Sequence, residues 1–253
     1  GDSTLFRKVN KRSISLNQKR NDSLSIGNRY WDLALFFDRY SVKDSAYYSY
    51  FEAQKIFENT KELQLSGRMY FEMAKIQSDV KDYVGSETTI MRAIEIFKSL
   101  NDYLYLYNSY NVLGISLGGL GEVEKSQAYY NEALYYLKLS DFNKIREARI
   151  INNIGVVFRN NKQYKKAIEN FKTVLKTDSL IIKDPSLYAL ALSNLASSKL
   201  YDKDTLGVGK LLLEAIKIKS TENKTSSLAG SYFNYAEYKA FAHDTLAAIT
   251  NAK

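Results

Sequence analysis

The apolar residues of this chain fall into an order that returns about every 40 positions, and small residues mark its phase. Ala34, Ala74, Gly114, Gly155, Ala196 and Ala236 recur at spacings of 40, 40, 41, 41 and 40. A larger apolar residue precedes each of them: Leu33, Met73, Leu113, Ile154, Leu195 and Tyr235. Twelve residues after each small residue stand Ala46, Ser86, Ser126, Ala167, Val208 and Ala248, and seven beyond those come Ala53, Ala93, Ala133, Val174 and Ala215. A large apolar residue lies between these two sets, at Tyr50, Ile90, Tyr130, Phe171 and Leu212. Small residues suit places where helix axes approach closely, with large residues filling the space beside them. The pattern therefore predicts two helices per repeat.

A polar turn separates the two helices, at Lys81-Asp82-Tyr83, Gly121-Glu122-Val123, Lys162-Gln163-Tyr164, Lys203-Asp204-Thr205 and His243-Asp244-Thr245. So short a turn forces the helices to lie antiparallel. Asp184-Pro185 reads as a helix start, with Asp capping and Pro at the first helical position, and this places the only Pro of the chain. The predicted fold is all-α, a solenoid of stacked antiparallel helix pairs. Repeats begin near residues 27, 67, 107, 148, 189 and 229, and the last is cut short at Lys253. Phe6 and Ser13 lie 40 residues before Ala46 and Ala53, so residues 1–26 are expected to hold a basic helix, half of a degenerate leading repeat. A solenoid whose last helix is incomplete leaves apolar surface open, which predicts a homodimer through a terminal repeat.

Two segments carry a family resemblance. Tyr110, Leu113-Gly114, Gly121-Glu122, Tyr130 and Ala133 form one, and Ile154-Gly155, Phe158, Lys162-Gln163-Tyr164, Ala167 and Phe171 the other. With them the chain resembles the tetratricopeptide-repeat family over about residues 27–253, which implies that the helix pairs wind into a right-handed superhelical solenoid. Its period exceeds the usual 34 or so residues, which implies longer helices. In this it is similar to the extended repeats of bacterial signalling proteins and spindle-orientation adaptors. Repeat 1 departs from the pattern, having Ser41-Val42-Lys43 where an acidic turn is usual.

The resemblance implies a non-enzymatic domain whose first helices line a concave groove that binds a protein or peptide segment. Carried onto this chain, the groove residues are Asn28, Trp31 and Leu35, then Arg68, Phe71 and Lys75, then Asn108, Asn111 and Ile115, then Arg149, Asn152, Val156 and Arg159. Repeat 5 adds Ser193 and Ser197, and repeat 6 Phe233. Asn amides both donate to and accept from an extended backbone, Arg and Lys suit a carboxylate, and Trp31 and Phe71 suit apolar anchors. The composition is similar in style to the sensor regions that precede a membrane helix and a histidine kinase or DNA-binding output domain. That likeness implies an extracytoplasmic segment of a larger protein.

Composition narrows the chemistry. With no Cys and one His, a disulfide framework, a thiolate metal site and a multi-His metal site are all excluded. No cofactor is expected. His243 lacks an implied catalytic partner and reads as a turn residue. The cluster Gly114, Gly118, Gly119 and Gly121 is not a phosphate loop, because Gly119 is followed by Leu120 and Gly121 by Glu122, where the motif requires Lys. Five of the eight surplus positive charges fall within residues 1–29, where Arg7, Lys8, Lys11, Arg12, Lys19, Arg20 and Arg29 face only Asp2 and Asp22. Nucleic-acid binding through this segment ranks last, since stacking aromatics are not interleaved with the cations. No stretch reaches the roughly 18–20 apolar residues of a membrane span. The 21 Tyr residues, including Tyr47-Tyr48, Tyr129-Tyr130 and Tyr135-Tyr136, are expected mainly to pack.

Overall fold

Seventeen residues of helix followed by three of connector is the module from which residues 3–139 are built. The computed structural model describes residues 3–221 and 225–241, and every regular element among them is helical. The chain divides into two compact units, residues 1–140 and 141–253. The first contains α1 (Ser3–Lys19), α2 (Ser23–Arg39), α3 (Lys43–Asn59), α4 (Leu63–Asp79), α5 (Tyr83–Ser99), α6 (Tyr103–Gly119) and α7 (Val123–Leu139). The second contains α8 (Lys144–Asn160), α9 (Tyr164–Leu175), the single turn α10 (Leu180–Lys183), α11 (Pro185–Tyr201), α12 (Val208–Ser220) and α13 (Thr225–Phe241). The helices pair as α2 with α3, α4 with α5, α6 with α7, α8 with α9, and α11 with α12. Each first helix begins four residues ahead of the repeat starts read from the sequence.

The connectors explain the regularity. Asn21, Ser41, Lys61, Lys81, Asn101 and Gly121 all have positive φ, between 52° and 82°, at intervals of 20 residues. At the first of the polar turns predicted within repeats, Lys81 N–H donates to Ser78 O (3.0 Å) and Asp82 N–H to Gln77 O (2.8 Å). These two bonds satisfy carbonyls that the helix end would leave open. Asp82 then caps α5, its Oδ1 accepting from Gly85 N–H at 3.0 Å and its carbonyl from Ser86 N–H at 2.9 Å. Three residues thus end one helix and begin the next. Asp22 and Asp102 do the same for α2 and α6. Asp82→Ala is expected to cost about 1 kcal/mol, read as a lowered denaturation midpoint with an unchanged denaturant slope.

In repeat 1 the missing acid is replaced by another device. Val42 makes no side-chain cap, and Lys43 Nζ binds Asp38 Oδ1 (2.9 Å) and Asp79 Oδ2 (3.0 Å), tying the repeat to its successor.

Packing follows the small-and-large register. Ala34, Ala46, Ala53, Ala74, Ala93, Ala133, Ala167, Ala196 and Ala215 are fully buried, as are Tyr50, Ile90, Tyr130, Phe171 and Leu212 beside them. Helix axes approach so closely at Gly114 that a Cβ there would lie 2.7 Å from the Tyr130 ring. Where Ser replaces Ala at the crossing, its hydroxyl bonds to the facing helix: Ser86 Oγ donates to Ala74 O (2.8 Å) and Ser126 Oγ to Gly114 O (2.7 Å). Tyrosine divides between packing and surface. Tyr129 and Tyr136 stack on the buried Tyr110 at 5.9 and 5.4 Å, whereas Tyr48 and Tyr135 are 60% and 55% exposed.

The second unit breaks the 20-residue rhythm. Its α9 stops after 12 residues, and α10 leads to Asp184-Pro185. Pro185 is the first residue of α11, and the Asp184 carboxylate accepts from Leu187 N–H at 3.0 Å. Ala248 and the turn His243-Asp244-Thr245 lie outside the described residues. Among the described residues no helix is long and apolar enough to cross a membrane.

Candidate functional site

Helix α6 is enclosed on nearly every side, and what remains open is a single stripe. From Leu106 to Gly118 every residue is buried except Asn108, Asn111 and Ile115, which continue the line of exposed Leu104. The steps of four, three and four place them on one helix face. Forty residues earlier the same positions on α4 carry Gln64, Arg68, Phe71 and Lys75, and on α2 Leu24, Asn28, Trp31 and Leu35. The residues assigned from sequence in the first unit thus occupy equivalent positions on its three first helices.

Their side chains are partly pre-organised. The Arg68 guanidinium lies over the Tyr105 ring at 5.0 Å, and its Nε is buried with no hydrogen-bond partner among the described residues. Tyr105 meets Phe71 edge-on at 5.7 Å. Lys75 Nζ sits 5.4 Å from the Phe71 ring centre and pairs with Glu72. Phe71 is only 8% exposed, so it lies beneath Lys75 and beside Tyr105 and is not an open apolar anchor. Burial pushes the Tyr105 hydroxyl above its ordinary pKa, and Arg68 pulls it partly back. Trp31 is half-buried and meets Phe57 edge-on at 6.4 Å. Asn28 is half-buried on the same helix. Asn108 Nδ2 donates to Leu104 O at 2.9 Å.

The second unit holds a groove of 900 Å³ between α8, α11 and α13, lined by Arg159, Ser193, Asn194, Tyr201, Phe233 and Glu237 among others. Asn152 is 2% exposed, and its Oδ1 accepts from Asn194 Nδ2 at 3.2 Å. Asn194 Oδ1 in turn accepts from Arg159 Nη1 at 2.8 Å. Burial pulls the Arg159 guanidinium below its ordinary pKa. Arg149 is exposed and paired with Asp184, the cap of α11. Of the residues assigned here from sequence, Arg159, Ser193, Ser197 and Phe233 line the groove. Asn152 lies behind it, and Arg149 braces a helix start. Asn194, Tyr201 and Glu237 were not among the sequence candidates. The 35-residue interval from Arg159 to Asn194, shared by Arg149 and Asp184, was the available signal. His243 lies outside the described residues, and the described residues contain no cluster of acids and His able to hold a metal.

Residues 107–136 and 148–179 match the family model described as tetratricopeptide repeat. Over those two segments the chain is similar to tetratricopeptide repeats. No curated protein matches it in sequence. Among solved structures, this chain is similar to BtubC (BKLC) from P. vanneervenii, at 17% identity and a TM-score of 0.67 over 86% of this chain and 91% of that one. It is also similar to the Rap conjugation gene regulator of the plasmid pLS20, solved in complex with the Phr* peptide, at 13% identity and a TM-score of 0.75. That match covers 93% of this chain and 64% of that one. NprR, solved in complex with its cognate peptide NprX, matches at 13% identity and a TM-score of 0.71, over 95% of this chain and 72% of that one. At such identities the likeness is one of fold, a solenoid of paired helices.

Proposed function

We propose that this protein binds an extended protein or peptide segment along the open stripe of its first helices. The observation that carries the reading is α6, a helix buried all round except for Asn108, Asn111 and two flanking apolar residues. Amide side chains on an otherwise enclosed helix can donate to and accept from a backbone that lacks helical bonds of its own. Arg68, Lys75 and Asn28 at the matching positions add polar and cationic contacts, and Trp31 and Leu35 add apolar ones. Similarity in fold to Rap and NprR, both solved with peptides, supports the same reading. We further propose that the chain is the sensor or interaction region of a larger bacterial signalling protein. A gene encoding no membrane helix, kinase or DNA-binding domain beside these repeats would overturn that part.

The test is to pan a displayed library of random dodecapeptides on the chain and measure affinities for the peptides recovered. Asn108→Ala combined with Asn111→Ala is expected to weaken them about tenfold, two lost hydrogen bonds of about 0.5–1.5 kcal/mol each. Unchanged affinity would remove the stripe from the binding role. The rival reading is self-association through a terminal repeat, favoured by exposed Leu5, Val9 and Leu16 on α1. Light scattering decides it: a concentration-dependent mass that Leu5→Lys and Val9→Lys abolish supports it, and a constant monomer mass dismisses it.

A further inference from the structure

The first unit repeats one three-helix junction at 40-residue offsets: α1, α2 and α3, then α3, α4 and α5, then α5, α6 and α7. Tyr30, Tyr70 and Tyr110 stand at the same position of the three central helices. At the second junction Gln54 Nε2 donates to the Tyr70 hydroxyl at 2.9 Å. At the third, Tyr129 stacks on Tyr110 at 5.9 Å. The first junction has Ile14 in place of Gln54 and Ser49 in place of Tyr129, and Lys11 where the others have Phe51 and Met91. The Ser49 hydroxyl turns back to donate to Ser45 O at 2.7 Å. Tyr30 is left with neither a hydrogen bond nor a stacked ring among the described residues.

A cleft of 490 Å³ lies there. Its floor is Ile14 and Leu33, each 7% exposed, with half-buried Phe37 beside them. Tyr30 and Tyr48 also line it. Burial raises the pKa of the Tyr30 hydroxyl, with Glu52 and Tyr48 adding to the effect, so the group stays a hydrogen-bond donor. Lys11 and Asp44 complete the lining with one charge of each sign, and neither is ion-paired among the described residues. The neighbouring Glu52 and Lys43 are paired already, with Lys55 and with Asp38 and Asp79. Tyr30, Leu33 and Phe37 leave α2 on the face opposite Asn28, Trp31 and Leu35, so the cleft is separate from the peptide stripe.

We propose that this cleft binds a free aromatic α-amino acid. The ring lies on the apolar floor against Tyr30, as Tyr129 lies on Tyr110 at the third junction. Lys11 receives the carboxylate and Asp44 the ammonium group, and the Tyr30 hydroxyl supplies a further hydrogen bond. An apolar floor with a few convergent polar groups, in a volume of roughly 300–1,000 Å³, is the usual make-up of a small-molecule site. A neutral apolar molecule would leave both charges unanswered, and the interior of a peptide carries neither. A zwitterion answers both.

The experiment titrates the full chain with L-phenylalanine and follows the methyl resonances of Ile14 and Leu33. Phenylacetate, phenethylamine and L-alanine are titrated in parallel, lacking in turn the ammonium, the carboxylate and the ring. The expected result is a saturable shift of both methyls with L-phenylalanine, at least about tenfold tighter than with any of the other three. Ser49→Tyr restores the residue type of the third junction and should abolish the shift by filling the cleft, without lowering the melting temperature. Two variants at exposed positions serve if that one fails to fold. Lys11→Met should weaken L-phenylalanine about tenfold and leave phenethylamine unchanged, and Asp44→Asn should weaken it similarly and leave phenylacetate unchanged. No saturable shift at Ile14 and Leu33 overturns the site, as does equal affinity for L-phenylalanine and either single-charge analogue. Undiminished binding by a folded Ser49→Tyr variant overturns it as well.

Discussion

Phe171→Ala is expected to destabilise the second unit by about 3–5 kcal/mol, the usual result of emptying a fully buried aromatic site. The ring is wholly enclosed and lies across Gly155, where an added Cβ would come within 2.7 Å of it. Gly155→Ala therefore sets a helix gain of about 0.5–1 kcal/mol against overpacking of about 1–3 kcal/mol. Overpacking should win, because a ring packed on all sides cannot retreat. Repeat 5 shows the alternative solution, with Ala196 and Leu212 at the equivalent positions. Gly155→Ala with Phe171→Leu recreates that pair, and the double variant should be less destabilised than the sum of the singles by about 1 kcal/mol or more. Urea unfolding of the four proteins measures the coupling. Additive effects would show that the two residues are not one packing unit.

That pairing was legible in the sequence because volume at a helix crossing leaves a periodic trace. Gly with an aromatic and Ala with an aliphatic residue recur at Gly114 and Tyr130, Gly155 and Phe171, Ala74 and Ile90, and Ala196 and Leu212; Ala34 with Tyr50 departs from it. The turns inside repeats were legible for the same reason, since Asp and Glu stand at the helix starts. The connectors between repeats carry the same acids, at Asp22, Glu62 and Asp102, each after a left-handed residue, Asn21, Lys61 and Asn101. The small residues that set the phase recur every 40 positions and not every 20, so half the true rhythm was hidden. The short α9 and the inserted α10 were hidden too, because their lengths compensate and leave a spacing of 41.

The site was legible as a register and not as a set of roles. The family resemblance, carried over by alignment, placed Asn108, Asn111, Arg68 and Asn28 on one face of the first helices. It treated Asn152 identically, although Asn152 is buried and bonded to Asn194 42 residues away. Such a pairing depends on which polar atoms meet across α8 and α11, and one sequence carries no mark of that. Phe71 shows the converse: its phase matches Trp31, but Tyr105 and Lys75 cover it. Phase names the residues near a face, and partners decide which of them a ligand can reach.

The hidden connectors supply a second effect, opposite in sign. Replacing Ser41, Lys61, Lys81 and Lys203 by Gly together should stabilise the protein by about 1 kcal/mol. Their φ values of 58°, 61°, 66° and 62° put an L side chain in the left-handed region, which costs about 1–2 kcal/mol per residue. Glycine relieves this but loses about 0.4–1 kcal/mol through its freer unfolded chain. At the three Lys positions it also gives up about 0.3–1 kcal/mol of favourable charge at a helix C-terminus. Ser41→Gly, with no charge to lose, should therefore give the largest single gain. The four sites lie on separate connectors, so their effects should add. Gly121, at φ 82°, is the internal control: Gly121→Lys should lose what Lys81→Gly gains. Melting temperatures and denaturant midpoints measure both directions. None of these four residues belongs to the α6 stripe or lines the Arg159 groove, so peptide affinity should stay unchanged as stability rises. A parallel change in affinity would mean that the connectors set the geometry of the binding face as well as the pitch of the repeats.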